Sequence, residues 1–346
     1  MLEIDGSQKS GSGTILRLSV AMAAILNKPL HIHNIRQKRP QPGLKPQHLE
    51  AVLTAAKLCN ATVKGAEVGS RELWFYPTEI VGGRVEAEIG TAGSIPMLLI
   101  TVFPICAFAK NPVSIHILKG GTDVSHSPTI NYLKYVFLPV LEKIGLKATL
   151  KVDKYGYYPK GMGEVSVKVT PNPKLSSFSL IEFGQLKSLK GISICTFLAH
   201  RRVAERQAKA ANELLNTRGY EADIRIVNDF SNHLQKGSSL TLWEQTSTGI
   251  LLGGDAIGKL RKTSETVGRE AAENLLREVE AKATADEHLA DMLVPYMALA
   301  EGESVFLTRS ITDHLETNMW LAQEILGVKF GTCKVGNLYK VEKKAS

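Results

Sequence analysis

Cysteine is scarce in this 346-residue chain, and the four present (Cys59, Cys106, Cys195 and Cys333) lie far apart without a CxxC pair. That argues against a disulfide framework and against a zinc ribbon, both of which need close, paired spacing. Long hydrophobic runs are missing as well. The longest, Pro96 to Ala109, falls short of the roughly 20 residues a bilayer-spanning helix requires. The opening residues, MLEIDGSQ, carry acid where an export signal carries positive charge, so a cytoplasmic protein without membrane association is expected. Acidic residues are the minority charge, 34 against 42 Lys plus Arg for a net of +8, which favours an anionic partner. Aromatics are few at 6%, yet 44% hydrophobic and 22% charged residues are globular values that exclude extensive disorder.

What the chain does contain is an internal repeat. Residues 20–36, 102–120 and 294–310 each read as an apolar helix end, a short polar turn and an alternating strand. A second amphipathic helix follows each, over 47–62, 129–146 and 312–327, and two short strands close the unit, as at 146–158 and 163–170. The unit is strand–helix–strand–helix–strand–strand. One unit leaves part of its sheet's apolar face uncovered, and three packed together bury those faces in a common core. An extra segment separates the second unit from the third helix pair. It reads as a strand at 191–198, a helix at 202–219 ended by Gly219, three further strands, and a helix at 264–281 with Ser264 as its expected N-cap. The expected fold is α/β (α+β): three repeated βαβαββ-type units forming a large domain (1–181 and 279–346), with a smaller inserted α/β domain (182–278).

Several loops offer chemistry, each beside a plainer reading. DGSQKSGSGTILRLS (5–19) is a glycine-spaced turn entering a helix, where backbone N–H groups at a positive helix end suit phosphate. It is neither a Walker A loop nor a GxGxxG fingerprint, and a plain strand-to-helix turn is the alternative. GTAGSIPML (90–98) repeats the arrangement. IRQKRPQPGLKPQHL (35–49) places Arg36, Lys38, Arg39 and Lys45 among prolines, a stiff loop that can present guanidinium groups to phosphate or serve as a rigid connector. KGGTDVSHSP (119–128) offers Asp123 for a metal or a proton, beside an apolar platform from Pro128 and Tyr132. His314 opens the helix of the third repeat, where it is either a surface residue or a nucleophile. His31 and His33 alternate on one strand face without a third ligand at a telling spacing, so core-edge histidines are expected rather than a metal site.

Together the segments DGSQKSGSGTILR, IRQKRPQPGLKPQHL, GTAGSIPMLL, GGTDVSHSP, YGYYPKGMGEV, HLADMLVPYMALA and DHLETN occur in one order across residues 5–318. In that order they resemble the RNA 3′-terminal phosphate cyclase family. The resemblance implies three βαβαββ-type units with a small α/β insert, units similar to those of enolpyruvyl transferases and of the C-terminal domain of translation initiation factor three. It also implies ATP-dependent conversion of an RNA 3′-terminal phosphate to a 2′,3′-cyclic phosphate. In that scheme His314 forms a covalent AMP adduct as pyrophosphate leaves. AMP then passes to the RNA 3′-phosphate, and the 2′-hydroxyl closes the ring as AMP departs.

By the same resemblance Arg17, Arg36, Arg39 and Gln47 surround the phosphates, Pro128 and His288 sandwich the adenine, Tyr132 lies beside it, and Asp291 contacts the ribose. ATP with Mg²⁺ (or Mn²⁺), an RNA bearing a 3′-phosphate, and a homodimer are the implied partners. Three positions depart from the family pattern: Ser10 stands where a metal-holding glutamate is common, and Ile100 and Met292 replace glutamines. Serine is a weak ligand for a hard dication. The metal ligands therefore stay open, and a non-catalytic paralogue that binds RNA in ribosomal RNA processing is the alternative reading. An enolpyruvyl transferase would share the repeat architecture without needing the motif set.

Overall fold

The computed structural model of the chain describes residues 1–344. The first sheet joins β1 (Leu2–Asp5), β2 (Leu30–His33), β3 (Thr62–Lys64) and β4 (Leu73–Tyr76), with α1 (Gly13–Leu26) between the first two strands and α2 (Pro46–Leu58) between the next two. Its spatial order is β1-β2-β4-β3, the first pair parallel and the others antiparallel.

The second sheet repeats this with β5 (Gly83–Glu88), β6 (Val113–Gly120), β7 (Lys147–Lys154) and β8 (Gly163–Thr170) in the order β5-β6-β8-β7. Helix α3 (Ile95–Ala107) lies between β5 and β6. The helix expected over 129–146 is broken into α4 (Ile130–Tyr132), a π-turn over Leu133–Phe137 and α5 (Leu138–Lys143). Pro139 has no N–H to continue an α-helical ladder, and the Leu138 amide reaches back to the Leu133 carbonyl instead.

After β9 (Ser179–Leu180) the chain forms a different sheet from β10 (Leu186–Thr196), β11 (Asp223–Asp229), β12 (Gly237–Thr246) and β13 (Leu251–Ile257), in the order β11-β10-β12-β13. Helices α6 (Val203–Thr217) and α7 (Ser264–Ala281) bury a separate apolar cluster against it, including Leu215, Leu240, Leu242, Leu252 and Leu275. The N-cap of α7 is Thr263, whose extended backbone lets its hydroxyl accept from the Thr266 amide. Ser264, expected as the cap, is the first helical residue. The chain then returns through α8 (Glu287–Leu299), β14 (Ser304–Thr308), α9 (Asp313–Leu326), β15 (Phe330–Val335) and β16 (Leu338–Lys343). β9 pairs parallel with β14, which gives the order β9-β14-β16-β15, matching the first two sheets.

The result is a mixed α/β fold of four four-stranded mixed sheets. Helices α1 and α3 are apolar around most of their circumference and are buried accordingly. With α2, α8 and α9 they build one continuous core whose centre is helix on helix. The N-termini of α1, α2, α3 and α9 therefore gather where the repeats meet. Among the described residues no helix is long and apolar enough to cross a membrane.

Candidate active site

A cavity of about 880 Å³ opens at this junction. Helix N-termini supply much of its wall: Ser12 to Thr14 from α1, Lys45 to His48 from α2, Gly93 and Ser94 from α3, and His314 from α9. Four positive helix ends around one space favour an anionic ligand before any side chain is counted.

Arg17, Arg36 and Arg39 add fixed charge to the same wall. Burial and the neighbouring Arg36 lower Arg17 to about 10, so it stays protonated at neutral pH. The Arg36 guanidinium has a second task, donating from Nη1 to the carbonyls of Gln41 and Gly43 at 2.7 Å each. It shapes the proline-rich loop while facing the cavity. Gln47 accepts from the Ser94 amide at 2.8 Å, which orients its amide N–H groups for a ligand.

His314 sits in the first turn of α9, half-buried. Burial lowers its pKa first, and the charges of Arg17 and Arg39 lower it further, so the imidazole is neutral at pH 7. Its Nδ1 lies 3.3 Å from Thr14 Oγ1, which also accepts from Arg17 Nη2 at 3.2 Å. A hydroxyl oxygen can take both donors. With the ring proton on Nδ1, the Nε2 lone pair is free to act as a nucleophile.

Pro128, His288 and Asp291 line another part of the cavity. Tyr132 is fully buried behind it, edge-on to His288 at 5.5 Å, with its hydroxyl donating to Asp286 at 2.6 Å. It supports His288 and does not line the cavity. Burial pushes the Asp291 carboxyl up to about 7, and it accepts from Thr312 Oγ1 at 2.6 Å. Asn318 donates to the Asp291 carbonyl at 2.8 Å, so α8 and α9 are tied together beside His314.

Other sequence candidates fall elsewhere. Asp123 is 2% exposed, accepts from Thr122 at 2.7 Å and lies outside the cavity wall. His31 stacks on Trp74 and contacts Glu3 on the first sheet. Among the described residues no group of three His, Cys, Asp or Glu could hold a metal ion. Among the described residues Asp291 is the one carboxylate on the cavity wall. Ser10 contacts Ser12 at 3.0 Å, hydroxyl to hydroxyl, so this donor set does not fit a Mg²⁺ held by the protein. Ile100 and Met292 both face the cavity with apolar side chains.

Sequence reasoning missed His48. Its Nδ1 accepts from the Lys45 amide at 3.3 Å, which leaves the proton of the neutral ring on Nε2. Burial and three flanking cations hold its pKa well below the usual imidazole range. Nε2 occupies the space beside Gly13, where an added Cβ would come within 2.2 Å. The available signal was Pro46 at the start of α2, which puts both Gln47 and His48 in the first turn.

Residues 8–332 match the RNA 3′-terminal phosphate cyclase family as a whole. The chain is 44% identical over 343 residues to an RNA 3′-terminal phosphate cyclase of Pyrobaculum aerophilum, covering 99% of this chain and 97% of that one. It is 45% identical over 348 residues to one from Pyrococcus furiosus, covering 99% of both. Among solved structures, the enolpyruvyl transferase NikO from Streptomyces tendae matches 64% of this chain and 39% of its own at 14% identity. Its TM-score of 0.27 is too low to bear on the fold. End-to-end identity of this level, joined to a cationic cavity around a neutral histidine, makes the chain a member of the RNA 3′-terminal phosphate cyclase family.

Proposed function

We propose that the protein uses ATP to convert an RNA 3′-terminal phosphate into a 2′,3′-cyclic phosphate through a covalent adduct on His314. The observation that carries this reading is the His314 imidazole, 3.3 Å from Thr14 Oγ1 and held below its usual pKa by burial and arginine charge, in a cavity lined by three arginines. His314 Nε2 attacks the α-phosphorus of ATP, an Nε2–P bond forms, and the α–β bridging oxygen leaves with pyrophosphate. An oxygen of the RNA 3′-phosphate then displaces the imidazole, giving a 3′-to-5′ pyrophosphate link to AMP. The 2′-hydroxyl loses its proton, attacks the RNA phosphorus and expels AMP.

Activation is needed because a phosphate monoester dianion has a poor leaving oxygen, whereas the phosphoramidate transfers AMP readily. Arg17, Arg36, Arg39 and the Nε2–H of His48 meet the charge of the phosphates and of departing pyrophosphate. Pro128 and His288 hold the adenine, with Tyr132 bracing His288, and Asp291 takes the ribose. Mg²⁺ or Mn²⁺ enters with ATP as its phosphate complex, since among the described residues no group of three His, Cys, Asp or Glu could hold it. The same reading assigns residues 1–181 and 279–346 to a core of three repeated units and 182–278 to an inserted domain. A requirement for a free 2′-hydroxyl accounts for RNA as substrate.

The test is labelling with ATP carrying ³²P on the α-phosphate. Label that stays with denatured protein, resists alkali, is released by acid and vanishes in His314→Ala is the expected result. No label with any divalent metal would overturn the catalytic reading in favour of an RNA-binding paralogue.

A further inference from the structure

We propose that single-stranded RNA leading to the reacting 3′ end runs from the cavity rim across one end of the inserted sheet. Its contacts there are Tyr158, Phe230 and the cations Arg201 and Lys236. This deepens the cyclase reading and rests on it for the identity of the strand.

The path begins at the cavity, because Tyr158 and Pro159 form part of its wall. Tyr158 is nonetheless 79% exposed, so most of its ring faces solvent. Its loop is fixed to the inserted sheet. Asn232 Nδ2 donates to the carbonyls of Tyr155 and Gly161 at 2.6 and 3.2 Å, and Gln235 Oε1 accepts from the Lys160 amide at 3.3 Å. Gly237 packs against the Tyr157 ring so closely that a Cβ would come within 2.1 Å. The rim and the 229–237 loop thus form one continuous surface.

On that surface Phe230 is 63% exposed, its ring braced edge-on against Phe197 at 5.6 Å. One braced ring and one carried on a loop tied to the same sheet, both open to solvent, are stacking platforms for unpaired bases. The charge pattern points the same way. Elsewhere on this domain, Arg206 on α6, Arg218 just after it and Lys262 just before α7 pair with the α7 acids Glu265, Glu280 and Glu270. At this end of the sheet Lys160, Arg201, Arg202 and Lys236 are exposed and, among the described residues, form no ion pair. The acids nearest these cations in sequence are engaged elsewhere: Asp229 accepts from Thr196 and Ser231, Glu205 from Asn228, and Glu164 pairs with His116 and Lys154. Aromatic faces interleaved with unpaired cations, continuous with a phosphate-binding cavity, fit a single strand.

The test compares wild type, Phe230→Ala and the charge reversal Arg201→Glu/Lys236→Glu. Fluorescence anisotropy reads affinity for a 3′-phosphorylated single strand of about 12 nucleotides, within the roughly 4–16 nucleotides that one single-strand-binding fold covers. Each variant is expected to bind about tenfold more weakly, and the reversal to flatten the salt dependence by about 0.7 per lost phosphate contact. AMP labelling of His314 stays at the wild-type level, which also reports that the variants fold. KM rises for the long substrate and stays the same for a dinucleotide 3′-phosphate. Wild-type affinity in both variants would overturn the proposal, as would equal losses on the long strand and the dinucleotide. Absence of AMP labelling in wild type would overturn the cyclase reading instead, and the binding comparison would still decide the surface.

Discussion

At the scale of single residues, the chemistry turns on which atoms are protonated at neutral pH. His314 is useful as a nucleophile only while neutral, and protonation removes the Nε2 lone pair. Burial and two arginines place its folded pKa below the ordinary 6.5, so the neutral form persists as pH falls through that value. The acid limb of adenylyl-enzyme formation is therefore expected below pH 6.5, read from rapid-quench labelling across a pH series. Arg17→Ala removes one cause of the depression and moves that limb upward. A wild-type limb at or above 6.5 would contradict the assignment. His48 obeys the same physics for a different purpose, since a buried neutral ring among cations gives an N–H donor that does not add to their repulsion.

At the scale of elements, helix starts place much of the cavity wall. Thr312 caps α9 by accepting from the Leu315 amide at 2.9 Å, and its own proton goes to Asp291 on α8. One hydroxyl therefore sets the position of the turn that carries His314 and joins it to the cavity's carboxylate. Thr312→Ala should lower stability by about 1 kcal/mol, the usual worth of an N-cap, as a shift in urea midpoint at constant slope. Misplacement of the nucleophile should slow AMP labelling by about ten- to a hundredfold, with Thr312→Ser restoring most of both. A variant that loses stability yet labels at the wild-type rate would show that the cap does not position His314.

At the scale of the whole molecule, Asp286 connects three regions. Fully buried at the start of α8, it accepts from the Tyr132 hydroxyl at 2.6 Å, the Gly253 amide of β13 at 2.8 Å and the Leu289 amide at 3.0 Å. Thr129 adds a parallel link, its amide donating to Asp255 and its hydroxyl bonding to Thr241. These contacts hold the inserted sheet against the part of the core that carries Pro128 and His288. Asp286→Ala leaves three buried donors unpaired at about 1–3 kcal/mol each. A loss of at least about 3 kcal/mol in chemical unfolding is expected, and a loss under about 1 kcal/mol would show that the contacts re-form elsewhere.

Much of this was open to inspection in the chain itself. Periodicity separated helices from strands, and one pattern recurred three times as a βαβαββ-type unit, because alternating and 3.6-residue spacings dictate which faces must be buried. The strand order within each sheet came only from the structure. The resemblance carried by the motifs named several residues that line the cavity, including His314, Arg17, Arg36, Arg39 and Gln47. Local patterns said nothing of long-range partners. Nothing near His314 in sequence announces Thr14, 300 positions away, as the atom that orients its ring. Tyr132 read as a platform, and only packing turned it inward to Asp286. Asp123 looked available for chemistry, and only burial withdrew it from the cavity. Side-chain periodicity is a property of the backbone and so can be read from the chain. Which groups share a cavity, and which protons they keep there, depends on desolvation and charge brought together from distant positions, and tertiary structure alone decides it.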